Sequence, residues 1–178
     1  MPLVQYEGPI HLIQTEKELN KALASLKKEK LLGFDTETRP AFRKGKSYHP
    51  SLIQLACSRS VYLIQLNRFS GIKKLIPLLE NPDVLKVGVA IGDDVKKLAV
   101  LEPFEGNGFM DVSKMAHVLG IKRSGLRNLT ALLFEKRISK RAQLSNWARE
   151  HLTEAQIRYA ATDAWISRKL YLKLKEFL

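Results

Sequence analysis

The stretch LLGFDTETRP, residues 31–40, runs an apolar segment straight into two carboxylates, Asp35 and Glu37, with only Thr36 between them. A short apolar run of this kind, holding Gly33 and Phe34 and following a helix-like segment, predicts a buried strand. Residues i and i+2 of a strand point to one face, so both acids aim the same way. Their Cα atoms would lie about 6.5–7 Å apart, close enough to repel in a half-buried site unless positive charge sits between them. A divalent cation meets that need. A solvated strand end followed by an acidic turn is the alternative that this stretch alone leaves open.

The 178 residues, 45% of them hydrophobic, have the size and apolar content of one compact domain, expected over residues 1–178. Thirty Lys and Arg against 18 acids leave a formal charge of +12, which favours a polyanionic partner, nucleic acid before an acidic membrane surface. The single cysteine, Cys57, has no partner for an internal disulfide and lies in the apolar run SLIQLAC, so it reads as a buried core thiol. The opening MPLVQYEGPI has no charged segment ahead of an apolar one, and no apolar stretch reaches membrane-spanning length. A soluble intracellular protein is expected, cytoplasmic before nuclear, with no membrane partner.

Thr15 and Glu18 form a capping box, and Leu19, Leu23 and Leu26 then recur at helical spacing. After LLGFDT, the runs SLIQLAC and VYLIQL are separated by Ser58, Arg59 and Ser60, a hairpin spacing, so the first three strands are expected to be largely antiparallel. SGIKKLIPLLE predicts a helix ended by Asn81-Pro82, and VLKVGVA a fourth strand. Helices are then predicted in GDDVKKLAVL, DVSKMAHVLG, SGLRNLTALLF and a long C-terminal segment. This order indicates an α/β fold with a mixed sheet.

The last helix opens on a second capping box, Thr153 and Gln156, and places Tyr159 and Asp163 four residues apart on one face. Ala160, Ala161 and Ala164 around them leave room for another backbone or a substrate. An aspartate inside an apolar helix is costly to bury without a partner, the alternative being a place on the solvent-facing stripe. In GVAIGDD, a strand runs into Asp93 and Asp94 at a helix start, where the helix dipole alone accounts for one acid. Gly88 and Gly92 do not make the three-glycine dinucleotide fingerprint.

Together, FDTET, GVAIGDD and YAATDA resemble the three blocks of the 3'-5' exonuclease superfamily named for its Asp-Glu-Asp-Asp acids, in the branch with a tyrosine in the third block (DEDDy). PSLIQLA at 51–57 and LSNWA at 144–148 extend the likeness, which is similar to the exonuclease domain of the Werner syndrome helicase and, more distantly, to ribonuclease D. The resemblance implies a ribonuclease H-like fold, a mixed central sheet flanked by helices. It also implies metal-dependent hydrolysis of DNA or RNA from 3' ends to nucleoside 5'-monophosphates, with two divalent cations, Mg²⁺ or Mn²⁺. It makes Asp35, Glu37 and Asp163 ligands of one cation, with Asp35 also on the second. It selects Asp94 over Asp93 as the fourth acid, often acting through water, and gives Tyr159 the task of orienting or helping to deprotonate the attacking water. The other branch carries a histidine where Arg158 stands here. Two departures follow: Lys96 replaces an often aromatic residue of Werner-type members, and no helical module of the ribonuclease D kind is expected after Leu178.

Residues 122–149 carry Lys122, Arg123, Arg127, Lys136, Arg137, Lys140, Arg141 and Arg149 against a single acid, Glu135. The segment after the first block adds Arg39, Arg43, Lys44 and Lys46. Both are expected to track phosphates, with Thr36, Thr38, Arg39, Lys46, Lys140 and Arg141 as candidate substrate contacts; a solvated basic face is the plainer reading. His11, His49, His117 and His151 fall outside the blocks, and Trp147 and Trp165 read as core. A nucleic-acid-binding module without hydrolysis is the alternative function on the same scaffold; the complete acid set and the tyrosine argue against it, because a binder has little need to keep like charges together.

Overall fold

A computed structural model describes residues 1–178. The elements run β1 (Ile10–Ile13), α1 (Glu16–Leu26), β2 (Leu31–Glu37), β3 (Leu52–Ala56), β4 (Val61–Gln65), α2 (Ile72–Leu79), β5 (Leu85–Gly88), α3 (Gly92–Leu101), β6 (Phe109–Asp111), α4 (Val112–Val118), α5 (Leu126–Phe134) and α6 (Glu154–Lys175). One sheet in the order β1-β4-β3-β2-β5-β6 collects all the strands. The middle strands β2, β3 and β4 are antiparallel, whereas β1 joins β4 and β5 joins β2 in parallel. This is the mixed sheet flanked by helices that the element order predicts.

The edge strands β1 and β6 have no counterpart in the reading of the sequence. They hold four and three residues. Runs that short carry too little alternation to separate from loop, and only pairing with β4 and β5 makes them strands.

Alternation along β2 divides the molecule. Leu32 and Phe34 face a core built with Leu19 and Leu26 of α1, Leu75 of α2 and Leu98 of α3. On the opposite face, α6 sets Ala160, Ala161 and Ala164 against Leu52, Ala56 and Leu63. Small residues let the helix ride close to the sheet. Gly33 completes the fit: a Cβ built there would collide with the Ala164 carbonyl oxygen in the α6 backbone. Asp35 and Glu37 follow Gly33 on the same face of β2, so the approach that lacks a side chain at Gly33 also brings these acids beside α6. Thr153 caps α6 by accepting the Gln156 N–H at 3.1 Å while Gln156 Oε1 accepts the Thr153 N–H at 3.0 Å, which fixes the helix start and hence its register.

The turn from β5 into α3 has Ala90 at φ 55°, a left-handed conformation held by donation of its N–H to Asp111 Oδ1 at 2.9 Å. That turn aims the first residues of α3, including Asp94, at the end of β2. Gly33→Ala is expected to cost at least about 1–3 kcal/mol, because the obstacle is backbone. The thermal midpoint should fall by ~2–4 °C per kcal/mol. A melting curve checks this, and an unchanged midpoint would contradict the packing described.

Candidate active site

Three carboxylates from two rigid elements meet: oxygens of Asp35 and Glu37 on β2 and Asp163 on α6 lie within 4.8 Å of one another. Asp163 and Glu37 are buried, at 5% and 9% relative exposure, so water cannot dissipate their mutual repulsion. Burial is the largest influence on each of the three, raising its pKa. For Asp35, the neighbouring Asp163 and Asp94 charges push further in the same direction, opposed by the Thr36 N–H, which donates to Asp35 Oδ1 at 2.8 Å. For Glu37, Asp35 and Asp163 add to burial, and Gln54 opposes it by donating its Nε2–H to Glu37 Oε1 at 3.2 Å. Asp163 is pushed up to about 7 by burial, with the Arg127 guanidinium and the Tyr159 hydroxyl pulling it back.

These residues fit a hard divalent cation. The donor set is all oxygen, the acids lack a countercharge among themselves, and Asp163 Oδ1 is buried with no hydrogen-bond partner. A buried carboxylate oxygen without a partner, on an acid clustered with like charges, is costly unless something positive lies close by. The alternative of a solvated strand end is thereby ruled out for Asp35 and Glu37, and that of a solvent-facing stripe for Asp163.

The fourth acid stands outside this cluster. Asp94, half-buried in the first turn of α3, accepts the Thr36 hydroxyl at 2.6 Å, while Asp93 beside it is exposed. Thr36 thus ties two acids to one residue, its N–H on Asp35 and its hydroxyl on Asp94, which places it as a support for the acids before any contact with substrate. Burial raises the pKa of Asp94, and the Thr36 hydrogen bond lowers it.

Tyr159 lies one helical turn before Asp163 with 8% of its surface exposed, its ring 5.8 Å from that of the buried Trp147. Burial first, then the charges of Asp163 and Glu37, hold its pKa well above the usual phenol range, so the hydroxyl keeps its proton at neutral pH and is a hydrogen-bond donor.

Two neighbours were not singled out in the sequence. Gln54 lies directly across the β2/β3 ladder from Asp35 and is wholly buried. Its signal was a lone amide in an otherwise apolar strand. Arg127 on α5 donates Nη2–H to Tyr159 Oη at 3.4 Å, and nothing but its membership of a basic tract marked it beforehand.

The candidate substrate residues fall into two groups outside the acid cluster. Thr38 is half-buried and Arg39 exposed immediately beyond Glu37. The Arg39 guanidinium and the Lys46 ammonium both lie over the Tyr48 ring, at 4.3 and 5.2 Å. With Phe42 and Leu144 they line an open groove of about 450 Å³. Lys140 and Arg141 line a separate groove of about 630 Å³ with Arg127 and Arg137. All four histidines are exposed, Trp147 is core, and Trp165 packs partly buried against Tyr6. Cys57 is buried, its thiol pushed up to about 12 mainly by that burial, as a core thiol should be.

The profile of a 3'-5' exonuclease family matches residues 10–178. The chain belongs to this 3'-5' exonuclease family. Its acid cluster and third-block tyrosine put it in the tyrosine branch of the Asp-Glu-Asp-Asp superfamily. It is 33% identical to a 3'-5' exonuclease of Arabidopsis thaliana over 98% of this chain and 66% of that protein. It is 32% identical to ribonuclease D of Gluconacetobacter diazotrophicus over 94% of this chain and 42% of that one. Among solved structures, the exonuclease domain of Aedes aegypti Nibbler superposes with a TM-score of 0.86 at 25% identity, covering 99% of this chain and 91% of that domain. The chain spans about two thirds or less of the length of the curated relatives it matches. No helix of the structure is long and apolar enough to cross a membrane.

The raised carboxylates tie stability to pH. A folded state that holds a proton more tightly than the unfolded chain loses stability as pH rises through the interval between the two pKa values. For Asp163 that interval runs from the ordinary aspartate value, ~4, to about 7. In EDTA, Asp163→Asn should therefore melt close to wild type at pH 4 and progressively above it up to pH 7, the difference levelling off beyond. Mn²⁺ should raise the wild-type midpoint most at the alkaline end. Scanning calorimetry across this range checks both; a midpoint difference independent of pH would contradict the assignment of a strained carboxylate.

Proposed function

We propose that this chain is a metal-dependent 3'-5' exonuclease that hydrolyses the terminal phosphodiester of a nucleic-acid strand and releases nucleoside 5'-monophosphates. The observation that carries the reading is the convergence of Asp35, Glu37 and Asp163 within 4.8 Å, on a buried face shared with Tyr159. Family membership supports it, as does the similarity to proteins named 3'-5' exonuclease and ribonuclease D.

Asp35, Glu37 and Asp163 are the side chains that would hold two Mg²⁺ or Mn²⁺ ions, with Asp94 contributing from farther out. When bound, such a pair supplies the positive charge that stabilises both the attacking and the leaving oxygen of an in-line displacement. The residues of the chain do the rest. Gln54 and Thr36 brace Glu37, Asp35 and Asp94 from β3 and β2, so the acids are presented by strands and helices and not by loops. Tyr159, protonated and wedged against Trp147, orients the attacking water by hydrogen bonding. The water gives up a proton to solvent as its oxygen bonds to the terminal phosphorus, the phosphorus–O3' bond breaks, and the departing O3' takes up a proton from solvent. The mononucleotide departs with the phosphate, and the shortened strand keeps a 3'-hydroxyl. Thr38, Arg39, Lys46, Lys140 and Arg141 are the proposed strand contacts, with the two basic grooves following phosphates in a salt-dependent manner.

The test is release of mononucleotides from 3'-labelled DNA and RNA strands, single and double, in Mg²⁺, in Mn²⁺ and in EDTA. Release in at least one metal and none in EDTA is expected. Asp35→Ala and Asp163→Ala should each lower the rate by at least ~10²-fold while the far-ultraviolet dichroism stays native. Strand binding without release in either metal would favour the non-hydrolytic module instead.

A further inference from the structure

The side chain of Arg127 is oddly placed for a structural residue. Its Nη2 serves two acceptors, Gln143 Oε1 at 3.2 Å and Tyr159 Oη at 3.4 Å, while its Nε is buried with no partner. Enclosing an unpaired N–H of a guanidinium is costly, and a plain tether from α5 to Gln143 could be made by a neutral side chain without that cost. What the charge gains is its neighbourhood. Arg127 is the basic side chain that acts on both Asp163 and Tyr159. It also lines the basic groove of about 630 Å³ formed with Asn128, Arg137, Lys140 and Arg141, whose lining contains no acid.

We infer that Arg127 is a positioning residue that acts through Tyr159, holding the tyrosine hydroxyl in the orientation the reaction needs at the point where the basic groove meets the acid cluster. The inference rests on the exonuclease reading of that cluster. A phenol oxygen that accepts from Arg127 on one side has its own O–H turned to the other, towards the acids and any water between them. Trp147 restrains the ring, and Arg127 restrains the remaining rotation about the C–O bond. Gln143 accepts from the same Nη2, so the restraint runs along a short polar chain, Gln143 to Arg127 to Tyr159.

A residue acting in this way affects the chemical step more than capture of the strand. Arg127→Met keeps side-chain length but removes every donor; it should lower kcat by about 10- to 100-fold with KM changed less than about 3-fold. Arg127→Lys, which retains a charged donor, should return to within about 5-fold of wild type. In a Tyr159→Phe background the hydroxyl is already gone, so adding Arg127→Met should cost less than about 2-fold more. A readout independent of turnover comes from metal-free protein labelled at tyrosine ¹³Cζ. The resonance that disappears in Tyr159→Phe should shift in Arg127→Met and return towards its wild-type position in Arg127→Lys.

Losses that multiply in the double variant, a rise in KM at constant kcat, or an unmoved Tyr159 resonance would each overturn the inference. Should Arg127→Met fail to fold, as its melting curve would show, Arg127→Leu, which also lacks any donor, takes its place in the same cycle and spectrum, with the same outcomes deciding. If wild type itself releases no mononucleotide, the exonuclease reading fails, and the resonance alone then decides whether Arg127 governs the Tyr159 hydroxyl.

Discussion

The contact on which the site depends is the approach of the α6 backbone to β2 at Gly33, where no side chain intervenes. Asp35 lies two residues along β2 from it and Asp163 one residue along α6. Asp35 and Glu37 continue β2 on the same face as Gly33, and Asp163 immediately precedes Ala164, whose carbonyl fills the space a Cβ would need. A small-residue stripe on α6 and a glycine on β2 are ordinary packing devices. Here they set the separation between acids that come from opposite ends of the domain, and the separation makes a site.

Close packing has an electrostatic cost that the fold does not relieve by itself. Buried carboxylates within 4.8 Å of one another are each destabilised in the ionised form, and the hydrogen bonds from the Thr36 amide and Gln54 offset only part of it. Arg127 contributes a positive charge that eases Asp163, and it donates to Tyr159. The orphaned Asp163 Oδ1 remains, and it gives a physical meaning to the cation requirement: the protein is built with a charge deficit that a divalent ion corrects. In the proposed reaction, that same deficit is what makes the site a strong ligand for the ions that carry the chemistry.

Apart from Arg127, the basic side chains that line the two grooves are exposed. One set surrounds Tyr48 between β2 and β3, and the other runs from α5 to Arg141. Acids are held by rigid elements and cations by exposed segments, a division suited to a polyanion whose position must adapt while its scissile bond is held. Net charge favours a polyanionic partner, and in the proposed function the two grooves would set its path.

Much of this was legible in the order of residues. The D-x-E block on a strand, the Y-x-x-x-D block on a capped helix and the antiparallel middle of the sheet all follow from local periodicity, because strand and helix geometry fix which side chains share a face. Family resemblance then selected Asp94 over Asp93; in the structure Asp94 accepts the Thr36 hydroxyl, whereas Asp93 is exposed. The edge strands were not legible, since three or four residues carry no period of their own and become strands only through their neighbours. Nor were Gln54 and Arg127: each is ordinary in its own segment and matters for what lies across from it, at Asp35 and Glu37 in one case and Tyr159 in the other. The chain's order of residues therefore determined which groups could act and which way each one faces. Only tertiary packing decided how near they come, and distance is what turns separate acids into a cluster that calls for a cation.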